Sequence, residues 1–265
     1  MHPLVRWFHR FGSPPTFYRW AGAAQPWLLG ASLLIGGVGL YLGLAVAPAD
    51  YLQGESVRIL YIHVPSAWMS LFVYLFVAAN AFVALVWRIR ISEILAMAAV
   101  PIGAMFTAVT LATGSLWGRP TWGTYWQWDA RLTSEPVLLF LYIGVLALFH
   151  AIEDRRRAAR AAGLLALVGV VNLPIIHYSV RWWNTLHQGE SVSLFGQSSM
   201  HSSMLWPLLL MALATHIWFF ASLAGRARLA LLEADSDKAW VRAALRSGSM
   251  QPPASPLSPA QAPSA

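Results

Sequence analysis

Residues 66–87 read SAWMSLFVYLFVAANAFVALVW and contain no Asp, Glu, Lys or Arg. A helix rising 1.5 Å per residue carries such a run across a hydrocarbon layer roughly 30 Å thick. In lipid the backbone has no water to bond, and this run is continuously apolar rather than alternating, so the spacing predicts a helix and not a barrel strand. Five further runs of the same character lie at about 27–47, 94–114, 136–152, 161–180 and 204–222. Of 265 residues, 57% are hydrophobic and 11% charged, against roughly 25% charged in a soluble domain. The expected fold is therefore an all-α polytopic membrane protein with six transmembrane helices.

The net charge of +7 is distributed as a membrane protein distributes it, which argues against nucleic acid as a partner and for membrane lipid. Arg6, Arg10 and Arg19 precede the first span. Arg88 and Arg90 follow the second, Arg155, Arg156, Arg157 and Arg160 follow the fourth, and Arg226, Arg228, Lys238, Arg242 and Arg246 follow the sixth. These are fourteen of the eighteen basic residues; Arg58, Arg119, Arg131 and Arg181 are the other four. The positive-inside rule places both termini in the cytoplasm and three loops, 48–65, 115–135 and 181–203, outside. The expected organisation is a cytoplasmic tail over 1–26, a membrane domain over 27–225, and a cytoplasmic tail over 226–265 whose Pro/Ser/Ala-rich end is expected to be disordered. The first 25 residues lack the apolar core of a cleavable signal peptide. With no cysteine, disulfides, iron–sulfur ligation and thioether attachment of a heme within this chain are excluded.

The second outer loop holds WGRPTWGTYWQWD, residues 117–129, with four tryptophans. An interfacial aromatic belt needs only one or two Trp per helix end. Trp117, Trp122, Trp126 and Trp128, with Tyr125, offer wide apolar faces suited to a large flat ligand such as a porphyrin. Gly118 and Gly123 are expected to make tight turns beneath the rings. Thr133 or Ser134 is expected to cap span four, with Pro136 in its first turn. Asp129 is left to orient a ring N–H or a partner's basic group. Arg131 and Arg119 suit carboxylates such as heme propionates.

Among eight histidines, His63 and His187 lie in outer loops flanking the tryptophans. His63 precedes Val64–Pro65, which favours extended backbone there. Each is either a plain surface residue or one of two axial ligands to a heme iron. His177 and His216, inside spans, are the candidates for a membrane b-type cytochrome in electron transfer, the alternative reading; each can equally bond between helices. The spans hold almost no acidic residues, which weakens a proton-coupled permease, and there is no nucleotide loop, HExxH pair or GxSxG elbow.

Three blocks together resemble the CcmC (heme exporter protein C) family: YIHVPSAWM at 61–69, WGRPTWGTYWQWDARLTSEP at 117–136 and NLPIIHYSVRWWNTLHQGES at 172–191. The resemblance covers roughly 27–225; the Trp-rich loop alone is shared by a wider group of heme-handling proteins. It implies that His63 and His187 are axial ligands to a non-covalent heme b, and that Trp117, Trp122, Trp126, Trp128 and Asp129 hold it, with Tyr125 standing where many members carry Trp. It implies delivery of heme to the periplasmic chaperone CcmE, beside the ABC transporter subunits CcmA and CcmB and the small subunit CcmD, in the bacterial inner membrane. The chain is then a heme-transfer component and not an enzyme. Loop three beyond Glu190 follows no recognised pattern.

Overall fold

A computed structural model describes residues 13–183, 185–187, 192 and 198–248; the Pro/Ser/Ala-rich tail, His2, His9, Arg6 and Arg10 lie outside them. Among these residues the regular structure is helical. The helices are α1 (Pro14–Tyr41, continued by a wide turn over Leu42–Val46), α2 (Leu60–Trp87), α3 (Arg90–Trp122), α4 (Ala130–Ala151), α5 (Arg155–Gly169), α6 (Asn172–Trp182), α7 (Ser202–Ala234) and α8 (Ala239–Gly248). A short 3-10 turn, Glu55–Ile59, leads into α2. Six helical segments are long and apolar enough to cross a membrane, α5 and α6 together making the fifth.

The helices overrun the expected spans, because helices end where a cap ends them and not where the lipid does. α1 begins at Pro14, which suits a first turn since its missing N–H would be unpaired there. α3 continues through Trp117 to Trp122 and stops at Gly123, whose φ of +78° gives the left-handed cap. The expected turn at Gly123 is present. Gly118 is instead helical and buried, and a Cβ there would stand 3.0 Å from the Thr124 carbonyl oxygen and 3.1 Å from the Trp122 ring.

The fifth span is broken. Pro174 has no N–H to give the Val170 carbonyl, and Val170–Val171 close 3-10-type turns onto Leu167 and Val168 instead. The Asn172 side chain then donates to the Ser134 carbonyl at 2.9 Å, fastening the break to α4.

α1 packs along α7 and α2 along α3. Small residues permit the close approaches on which packing in lipid depends: Gly36 faces Ala214, Gly39 faces Met211, and the rings of Tyr61 and Tyr142 lie where Gly43 and Gly103 would carry a Cβ. Arg58 holds the end of α1 by donating to the Gly43 and Ala47 carbonyls. At the opposite end Arg90 pairs with buried Asp235, which also accepts from the Trp240 indole and so docks α8. The six traverses bring the connections before α2, between α3 and α4, and after α6 to one end of the bundle.

Candidate functional site

A pocket opens at that end. It holds about 740 Å³, its open mouth included, within the roughly 300–1,000 Å³ usual for cofactor sites. Its walls are apolar between a few polar groups: His63, His187, Trp117, Trp122, Trp126, Arg131 and Glu135, with Ala67, Leu111 and Leu132 among the apolar lining.

His63 is not in an extended loop. It lies in the first turns of α2 and is buried, 8% exposed. Pro65 sits so near the start of α2 that it forfeits one backbone bond, and packing of the fully buried Tyr61 and Met69 outweighs the local preference for extension. The His63 ring stands edge-on to Trp117, centroids 5.6 Å apart, and 6.5 Å from the ring of His187 at 35°. An added Cβ at Gly114 would lie 2.9 Å from His63 Cε1, so the glycine leaves the ring its place.

The hydrogen-bond network assigns the His63 tautomer. The Thr113 hydroxyl donates its single proton to the Val109 carbonyl at 2.7 Å. Its oxygen can then only accept, so His63 Nδ1, 3.0 Å away, carries the proton. The lone pair is on Nε2, the state a metal ligand needs, with its other nitrogen held by a hydrogen bond.

His187 is half-buried beside Trp122, centroids 6.2 Å apart, and its backbone N–H donates to Thr185 Oγ1. Asp129 reaches it indirectly. Asp129 is the N-cap of α4, accepting from Leu132 N at 2.8 Å, which corrects the expected caps Thr133 and Ser134. A carboxylate at the first extended position before a helix meets the free N–H groups that residues four and five places later cannot reach. Its second oxygen accepts from the Thr185 hydroxyl and from Leu186 N, so Asp129 ties the third loop to α4 rather than facing outward.

Of the aromatic cluster, Trp117, Trp122 and Trp126 line the pocket. Trp117 is fixed by its indole N–H donating to Gln53 at 2.8 Å. The Trp126 indole N–H is buried and has no acceptor among the described residues. Tyr125 and Trp128 stand outside at the surface, 57% and 78% exposed. Arg131 lines the pocket and donates to the Ile176 carbonyl. Arg119 does not line it; it donates to Gly123 and sits over the Tyr125 ring. His216 is bonded to the Ala212 carbonyl and packs on Phe72, His177 packs on Tyr178, and His201 caps α7, so none of these lines the pocket.

The sequence reading missed Glu135, which it left at the end of a loop. Glu135 is buried in α4 and hydrogen-bonded to Ser70 at 2.8 Å. Its signal was a single acid adjoining an apolar run, a position where ionisable groups usually have a task. Thr113, Gln53 and Ser70 carry no such signal, because polar residues of these types are common at span ends.

Fold and pocket together define a multi-pass helical membrane protein with a histidine–tryptophan site at one end of its bundle. Among the described residues no third His, Cys, Asp or Glu joins the pair as a bare metal ion would require. The chain belongs to the heme exporter protein C family, whose model matches residues 7–242. It is 48% identical over 243 residues to heme exporter protein C of Haemophilus influenzae, covering 91% of this chain and 98% of that one. It is 54% identical over 200 residues to heme exporter protein C of Escherichia coli K12, covering 76% and 80%. A ccmC-like mitochondrial protein of Arabidopsis thaliana named for cytochrome c biosynthesis is 46% identical over 182 residues, covering 69% and 68%.

Proposed function

We propose that this protein binds heme b non-covalently at the outer face of the bacterial inner membrane and passes it to the chaperone CcmE for cytochrome c maturation. The observation that carries this is the His63–His187 pair. Two metal–imidazole bonds of about 2 Å, plus roughly 1.1 Å from each nitrogen to its ring centre, separate two axial rings by about 6 Å. The observed centroid separation is 6.5 Å, and the lone pair on His63 Nε2 is ready for iron. Heme supplies the iron that accepts these nitrogens, and its flat apolar ring suits Trp117, Trp122 and Trp126. Arg131 and the unpaired Trp126 N–H are donors for propionate oxygens. With no catalytic acid–base step required, ligand exchange suffices, and the chain acts as a carrier and not an enzyme.

The exposed rings of Tyr125 and Trp128 form the rim from which CcmE takes the heme. The excess of arginine at the other end orients that rim outward and leaves the cytoplasmic end beside CcmA, CcmB and CcmD. The relatives' name, heme exporter protein, supports the assignment. The test is to replace His63 and His187 each by Gly and record heme spectra and CcmE loading, with and without imidazole. Loss of the low-spin spectrum, restored by imidazole, is expected. Normal spectra and normal loading in both variants would refute the ligand pair.

A further inference from the structure

Glu135 has no part in binding heme as described above, yet it lines the same pocket. On α2, His63, Ala67 and Ser70 follow one another at helical spacing on one face, and Ser70 holds Glu135. Ser70 is seven residues beyond His63, so the carboxyl sits roughly 10 Å deeper along α2 at 1.5 Å per residue. The nearer lining between them, Ala67, Leu111 and Leu132, is apolar. Ser70 is fully buried, and the Tyr142 hydroxyl donates to its backbone carbonyl at 2.8 Å, so the carboxyl's support is rigid. The cation on the same helix, Arg131, also faces the pocket and donates to Ile176.

We infer that Glu135, in its ionised form, places a negative charge beneath the heme site and biases bound iron toward the ferric state; this rests on the heme-platform reading above. Ferric heme carries one more positive charge at iron than ferrous heme. A carboxylate therefore stabilises the ferric form more, and in a low-dielectric pocket salt does not screen the difference. Glu135 is a positioning charge: it touches neither ring ligand in the hydrogen-bond network and moves no electron itself.

The test uses the full chain in lipid nanodiscs, loaded with heme b and titrated spectroelectrochemically in alkaline buffer. Glu135→Gln keeps the shape and the Ser70 partner, and its midpoint potential is expected to shift positive of wild type. Glu135→Asp keeps the charge and is expected to stay closer to wild type than Glu135→Gln does. A Glu135→Gln midpoint equal to wild type, or equal shifts in both variants, would overturn the inference while leaving the bis-histidine spectrum intact. Wild-type heme without a bis-imidazole spectrum would overturn the platform reading, and this inference with it.

Discussion

Replacing Thr113 by Val should weaken heme binding without touching heme. The two side chains are nearly isosteric, but the hydroxyl oxygen that accepts from His63 Nδ1 at 3.0 Å is gone. The ring keeps its backbone bond to Thr110, and losing an acceptor of a buried N–H costs about 1–3 kcal/mol. The ring can escape that cost by moving its proton to Nε2, which consumes the lone pair meant for iron. Either way ligation weakens, and losing the outer partner of a ligating histidine typically costs about 10- to 100-fold in affinity. That factor corresponds to about 1.4–2.8 kcal/mol, in agreement with the hydrogen-bond figure. The assay is heme titration of purified protein in micelles, followed at the Soret band, with thermal melting as a folding control. Thr113→Ser retains the acceptor and should bind as wild type does. Wild-type affinity in Thr113→Val would show that the proton count at His63 is wrong.

Gly114→Ala puts a methyl 2.9 Å from His63 Cε1, so the ring must turn; the Soret spectrum should lose low-spin character while the helical circular dichroism persists. Asp129→Ala should lower stability by about 1 kcal/mol through the lost cap of α4, read from the melting temperature, and should also weaken heme binding because Thr185 and Leu186 are released. Asp129→Asn still offers Leu132 an acceptor but only one carbonyl oxygen; its melting temperature should stay near wild type while heme affinity falls, and equal affinity would refute the tether. Trp128→Ala removes a ring that is 78% exposed and outside the pocket; heme affinity should be unchanged and transfer to CcmE slowed, whereas unimpaired transfer would remove Trp128 from the docking rim.

Much of the site was legible because its residue types are costly to place by chance at a membrane surface. Four tryptophans between 117 and 129 and two flanking histidines stand out in the sequence, and three of those tryptophans and both histidines line one pocket. Local inference failed where packing outweighed it. The residue before Pro65 ought to be extended, yet the buried Tyr61 and Met69 hold it helical. Thr133 and Ser134 are cap-forming residue types, but it is Asp129 whose carboxylate oxygen accepts from Leu132 N.

Six apolar runs follow from residue type and order alone, since burial in lipid depends on them. The pairing of His63 with His187 does not. They are 124 positions apart in the chain, and their rings meet at 6.5 Å only because α2, α3 and the tether from Asp129 to Thr185 bring them together. Which nitrogen of His63 bears the proton, and which acid lies beneath the pocket, were likewise decided by neighbours from other helices: hydrogen bonds and charge act through space, and adjacency in space is a property of the folded bundle.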